Sequence, residues 1–174
     1  MGALKCEQIH FVLIINRQRK LRLSKWYSPY SQKERTKVIG EISGLVLRRG
    51  PEMCSFLEWG ALTVVYKSYG NLLYIMCIDP DDNELEALEL IDHYVRNLDR
   101  QCGIACEWML TFYFAWAYQV LDELVIAGQI QETSIKTVVG LVRAQDHLEW
   151  AAREETHSIS SKILGTDTID ILDL

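Results

Sequence analysis

Residues 53–78 constrain the fold more than any other stretch of the chain. They hold three strand-like runs, 53–59 (MCSFLEW), 61–67 (ALTVVYK) and 72–78 (LLYIMCI). Gly60 alone separates the first two, and the second gap contains Gly70-Asn71. A parallel crossover needs about a dozen residues or more, so links this short force neighbouring strands to run antiparallel.

The residues before them add two strands and a helix. Residues 9–15 (IHFVLII) are apolar on both faces, which predicts a strand inside a sheet. After turn-like residues 16–19, residues 20–27 alternate, with Leu21 and Leu23 on one face and Lys20, Arg22 and Ser24 on the other. Two such runs around a short turn make a hairpin. Ser31-Gln-Lys-Glu34 is a capping box, in which each end residue satisfies a free N–H of the other. Val38, Ile39, Ile42, Leu45 and Val46 then recur at helical spacing until Gly50-Pro51 ends the helix.

Three more helices are predicted after residue 80. The first covers about 83–101, with Leu85, Leu88, Ile91, Val95 and Leu98 as its apolar stripe. The second covers about 105–127. Its uncharged stretch Trp108 to Leu121 is apolar nearly all round, which calls for burial between layers or under a partner. At fourteen residues it is shorter than the ~18–20 that span a bilayer. The third starts near Thr133 or Ser134 and runs to about Glu155. The order β-β-α-β-β-β-α-α-α predicts an α+β domain over 8–155, a five-stranded antiparallel sheet with helices packed on it. Residues 156–174 are Ser/Thr/Asp-rich and read as a flexible tail.

Charge is unevenly spread. Residues 1–70 carry 12 Lys/Arg against 5 Asp/Glu, and residues 71–174 carry 6 against 19. Two electrostatic poles suit a chain that docks inside an assembly. Five cysteines, an odd number, favour a reducing, cytoplasmic compartment, and the N-terminus has no signal-peptide pattern. No P-loop, Gly-x-Ser-x-Gly or HExxH motif is present, so no catalytic residue, metal site or cofactor is expected. Aromatics do not interleave with the basic run, which argues against a nucleic-acid partner.

Five blocks then carry a family likeness. KWYSPYSQKERTKVI (25–39), CSFLEW (54–59), VVYKSY (64–69), DDNELEALELIDHYV (81–95) and LDELVIAGQIQETS (121–134) stand in this order within residues 8–148. Together they resemble the small (sigma) subunit of a heterotetrameric clathrin adaptor complex. KWYSPYSQKER and CSFLEW resemble the adaptor protein complex 1 type, which works between the trans-Golgi network and endosomes. The resemblance implies a longin-like fold and a non-enzymatic role. It implies a large gamma-type adaptin as direct partner, with beta-type large and mu medium chains completing the tetramer. Clathrin and the Golgi or endosome membrane would be met only through that complex, on coated vesicles.

The resemblance also implies a cargo site for acidic dileucine signals, which need a cation for the acidic residue and apolar pockets for the two leucines. Arg17 and Arg22 match the arginines of the family's first hairpin. Gly70, Leu72, Val95, Ile104, Ala105 and Leu110 match its pocket-lining positions. The chain departs from the family pattern nearby. Arg19 stands at the family's glycine, and Trp108-Met109 at its Leu-Asp. A scaffold-only subunit, or the small subunit of another coat such as coatomer, is the alternative.

Overall fold

A computed structural model describes residues 8–102, 106–126 and 128–130, with Ala144 and Leu148. The sheet contains β1 (Ile9–Asn16), β2 (Leu21–Trp26), β3 (Phe56–Trp59), β4 (Leu62–Tyr69) and β5 (Leu72–Ile78). Its order is β2-β1-β5-β4-β3, and every pairing is antiparallel. The all-apolar β1 thus lies inside the sheet, and β5, buried along its whole length, lies at the centre.

Helix α1 (Gln32–Arg48) covers one face. Its capping box forms as the sequence predicts, with the Ser31 side chain accepting from Glu34 N and Glu34 accepting from Ser31 N. Val38, Ile42 and Val46 pack on Phe11, Leu13, Ile15, Val64, Ile75 and Cys77. Leu45 lies off this stripe and is exposed.

Helices α2 (Glu84–Cys102), α3 (Glu107–Phe112) and α4 (Phe114–Leu124) cover the other face. There Leu90, Ile91, Tyr94, Leu98, Val120 and Leu121 pack on Val12, Ile14 and Met76. Tyr94 is fully buried and donates its hydroxyl to the Ala117 carbonyl at 2.9 Å, joining α2 to α4. Leu85 departs from the predicted stripe and is 66% exposed. It precedes Tyr94 by nine residues, roughly two and a half turns, so it faces away from the core.

The long helix predicted over 105–127 is two helices and a hairpin. At Tyr113 the backbone leaves helical geometry (φ −117°, ψ 33°), which separates α3 from α4. Helix α4 stops at Leu124, and β6 (Val125–Ile126) pairs with β7 (Gln129–Ile130) around Gly128. Gly128 has φ +83°, a left-handed conformation that favours glycine and suits a turn. The helix predicted over 133–155 lies outside the described residues except for Ala144 and Leu148, both helical. The tail 156–174 lies outside them altogether.

Candidate functional site

Asn16 organises the corner where the candidate residues meet. It is buried, and its Oδ1 accepts from Gln18 N at 2.9 Å and Lys20 N at 2.8 Å. The turn then closes through Arg19 N donating to the Asn16 carbonyl, and Asn16 N to that of Lys20. This geometry puts Arg19 at φ +64°, among the described residues the one non-glycine with positive φ. Glycine would adopt this φ freely, and arginine here costs about 1 kcal/mol.

A bulge aims Arg22. Ile14 pairs with Leu23 but Ile15 pairs with Leu21, so Arg22 is the extra residue of β2. Bulges bend a strand and re-aim side chains. The uniform alternation predicted for 20–27 therefore fails. Leu23 is buried with Ile14 on the α2 side, whereas Leu21 is 39% exposed. Arg22 turns to the first turn of α3 and forms an ion pair with Glu107.

Glu107 is the hub of this corner. Its Oε1 accepts from Arg22 Nη2 and from Asn16 Nδ2, the latter at 2.8 Å. Its Oε2 accepts from Asn71 Nδ2 at 3.2 Å. The Asn16 amide, then the Arg22 guanidinium, hold its carboxyl below the usual carboxylate range. One carboxylate thus ties together the β1–β2 hairpin, the β4–β5 turn and the start of α3.

The predicted site residues divide around this hub. Gly70 forms the β4–β5 turn at φ +57° and is exposed. Leu72, Val95 and Leu110 lie in one core cluster on the same side of the sheet and are only 1%, 3% and 2% exposed. Arg17 takes another direction. Its Nη2 donates to Ser68 Oγ at 3.1 Å, on the α1 side of the sheet, away from Glu107. Ile104 and Ala105 lie outside the described residues. Sequence reasoning missed Asn16, Asn71 and Glu107. Asn16 follows an apolar strand directly, an Asx-turn signal, but nothing in the sequence places Glu107 beside it.

The apolar stretch from Trp108 is split between two environments. Met109, Leu110, Trp116, Ala117, Val120 and Leu121 face the core. Trp108, Phe112, Tyr113 and Phe114 face outward, all at least half exposed. The Trp108 ring lies 4.8 Å from that of Phe112 and 6.2 Å from that of Tyr113, so these three aromatics form one contiguous patch. At the opposite end of β1, His10 bonds Ser28 Oγ through Nδ1 and Asp79 Oδ1 through Nε2, each at 2.7 Å. That relay fastens β1 to the segments following β2 and β5. Among the described residues, no group of His, Cys, Asp or Glu is placed to hold a metal. No described helix is long and apolar enough to cross a membrane.

Comparison with known proteins agrees with this architecture. Residues 8–149 match the family of the clathrin adaptor complex small chain. AP-1 complex subunit sigma-2 of Arabidopsis thaliana is 58% identical over 155 residues, 89% of this chain and 96% of that protein. AP-1 complex subunit sigma-1A of Homo sapiens is 47% identical over 141 residues, 81% of this chain and 89% of that protein. Among structures, a chain in a homology model of the full-length AP-3 complex in a stretched open conformation superposes with a TM-score of 0.65. It is 27% identical, and the match covers 86% of this chain and 98% of that one. On the match over residues 8–149 and the identity to AP-1 sigma subunits, the chain belongs to the non-enzymatic family of clathrin adaptor complex small chains.

Proposed function

We propose that this chain is the sigma subunit of an AP-1-type adaptor tetramer, held by a gamma-type large chain beside beta-type and mu chains. In that assembly it stabilises the tetramer and helps select acidic dileucine cargo for clathrin-coated vesicles moving between the trans-Golgi network and endosomes. The relatives carry AP-1 names along nearly their whole length. The exposed aromatics of α3 and α4 suit an obligate subunit, because patches of this kind on a soluble chain mark partner contacts.

The single observation that carries the cargo reading is Arg22. A bulge directs its guanidinium to the junction of three elements, and there it already holds a carboxylate. A cargo aspartate or glutamate is the same chemical group. Leu72, Val95 and Leu110 lie in the core cluster on this side, beside the turn and the helix start that Glu107 joins. In this reading Arg22 supplies the cation, Gly70 leaves the turn open to solvent, and the apolar trio lines the leucine pockets with Ile104 and Ala105. Arg17, on the opposite face, is left outside it.

The test is binding of an acidic dileucine peptide to the assembled complex. Arg22→Ala should weaken it by roughly tenfold or more, the ~1.5–3 kcal/mol of a charge-assisted hydrogen bond. Unchanged affinity would remove Arg22 from the site.

A scaffold-only role is the second reading, favoured by two facts of this structure. Arg22 is already paired, and Leu72, Val95 and Leu110 are closed to solvent. It predicts that the complex assembles normally around this chain but binds dileucine and control peptides equally weakly.

A further inference from the structure

A cavity of about 440 Å³ opens on the α1 side of the sheet, between the end of α1, the 50–55 segment and β4. Arg17 and Arg49 both line it, and no Asp or Glu does. We propose that this cavity is a binding site for a phosphate monoester, with Arg17 and Arg49 as its cations.

Both guanidiniums are anchored on β4 and line the one cavity. Arg49 Nε donates to the Tyr66 hydroxyl at 2.8 Å, and Arg17 Nη2 donates to Ser68 Oγ at 3.1 Å. Tyr66 and Ser68 are two residues apart on β4 and so share one face, their Cα atoms roughly 7 Å apart along the strand. Arg49 is held further by the Cys54 and Phe56 carbonyls, at 3.0 and 3.3 Å from its Nη2. A tetrahedral phosphate between two such groups can accept hydrogen bonds from both.

The partners of these two arginines leave their charge uncancelled. Arg22, Lys25 and Lys67 each pair with a carboxylate. Among the described residues, Arg17 and Arg49 bond only neutral oxygens and sulfur. Neutral acceptors orient a guanidinium without cancelling its charge, so both remain available to an anion. The last carbonyls of α1 oppose an anion here, but a helix end amounts to about half a charge against two full ones.

The dimensions limit the ligand. The volume is within the ~300–1,000 Å³ of small-molecule sites, larger than phosphate alone requires. Leu47, Pro51, Met53 and Leu73 supply apolar wall, and the Ser55 side of the cavity is polar. A phosphate on a compact ring, as in an inositol phosphate, fits this lining. The same chemistry reaches the site as a lipid headgroup or as free phosphate.

Met53 is exposed in the wall and gives a local readout. Methyl-labelled full-length chain in its assembled complex would be titrated with inositol 1,4,5-trisphosphate and, separately, with inorganic phosphate. The expected result is a saturable shift of the Met53 methyl while buried Met76 and Met109 stay still. Tighter binding of the inositol phosphate identifies a headgroup-type ligand; equal binding identifies free phosphate. Arg17→Gln should weaken binding at least tenfold. Ser68→Asp, which sets a carboxylate beside Arg17, should abolish it. A Met53 methyl that does not move at millimolar ligand, or moves equally in Ser68→Asp, overturns the proposal. Neither variant touches Arg22 or Glu107, so dileucine binding is scored independently.

Discussion

Arg22, displaced from the β2 ladder by a bulge, forms an ion pair with Glu107 at the first turn of α3. In the cargo reading, the chain's own carboxylate occupies the place of the peptide's acidic residue. A peptide must then compete with Glu107 for the same guanidinium. Glu107→Gln keeps the side-chain shape and removes the charge. It should raise the affinity of an acidic dileucine peptide by roughly three- to tenfold, the gain expected where only about a tenth to a third of the chain is open to bind. Isothermal titration on the assembled complex checks this; lower affinity would make Glu107 a support for Arg22 instead of its competitor.

The pH dependence of that contact has a definite sign. Asn16 first, then Arg22, hold the Glu107 carboxyl below its ordinary value. A carboxylate with a lowered folded pKa contributes stability above the unfolded value of about 4.3, and loses it as pH falls through the lower folded value. The Arg22–Glu107 contact should therefore remain closed from pH 7 to pH 5. Carboxylate infrared bands with and without Glu107→Gln would report it, and protonation of Glu107 near pH 5 would contradict the assignment.

Arg19 offers a gain of stability. Its φ of +64° is strained for any residue with a side chain. Glycine adopts it freely, so Arg19→Gly should stabilise the chain by up to ~1 kcal/mol. One contact opposes the change. The Arg19 guanidinium lies over Gly44 of α1, with Nη2 2.7 Å from where a Cβ would stand. Thermal unfolding of the complex-bound chain measures the balance, and a lower melting temperature would mean that the contact over Gly44 outweighs the backbone strain.

Much of this fold was readable in the sequence because its signals are local. The α1 capping box, the turn glycines of β3–β5 and the apolar run of β1 each depend on residues close in the chain. The site was less readable because its geometry depends on exceptions to local patterns. The bulge at Arg22 breaks the two-residue alternation that Lys20 to Ser24 display. The break at Tyr113 has neither Gly nor Pro to mark it. Glu107 lies 85 residues from Arg22 and 91 from Asn16, so no spacing rule could join them. Family resemblance grouped Arg17 with Arg22, Leu72, Val95 and Leu110 as expected site residues; in the structure Arg17 instead donates to Ser68 on the α1 side.

Thiol reactivity should separate the described cysteines. Burial, then the charge of Asp79, push the Cys77 thiol up to about 12. Cys54 and Cys106 are exposed. Among these three, iodoacetamide at pH 8 should modify Cys54 and Cys106 and leave Cys77 intact until the chain unfolds. Peptide mass mapping reads this directly, and early labelling of Cys77 would show that the α1 side of the sheet opens in the native state.

Among the described glycines, Gly128 should be the one least tolerant of a single methyl. It joins the β6–β7 hairpin to the start of β1, where Ile9 N donates to its carbonyl at 2.7 Å. A Cβ there would stand 2.6 Å from the Ile9 carbonyl oxygen and 3.4 Å from Tyr27 Cβ. The first of these is backbone and cannot swing aside, and φ of +83° adds its own strain. Gly128→Ala should destabilise the chain by roughly 2–3 kcal/mol, combining the backbone strain with the steric displacement. Gly40 of α1 has nothing within 4 Å of its Cβ position. Gly40→Ala should instead stabilise by up to ~1 kcal/mol through helix propensity. Parallel denaturation of the two variants separates the site-specific clash from any general effect of adding a methyl, since the two shifts must have opposite signs.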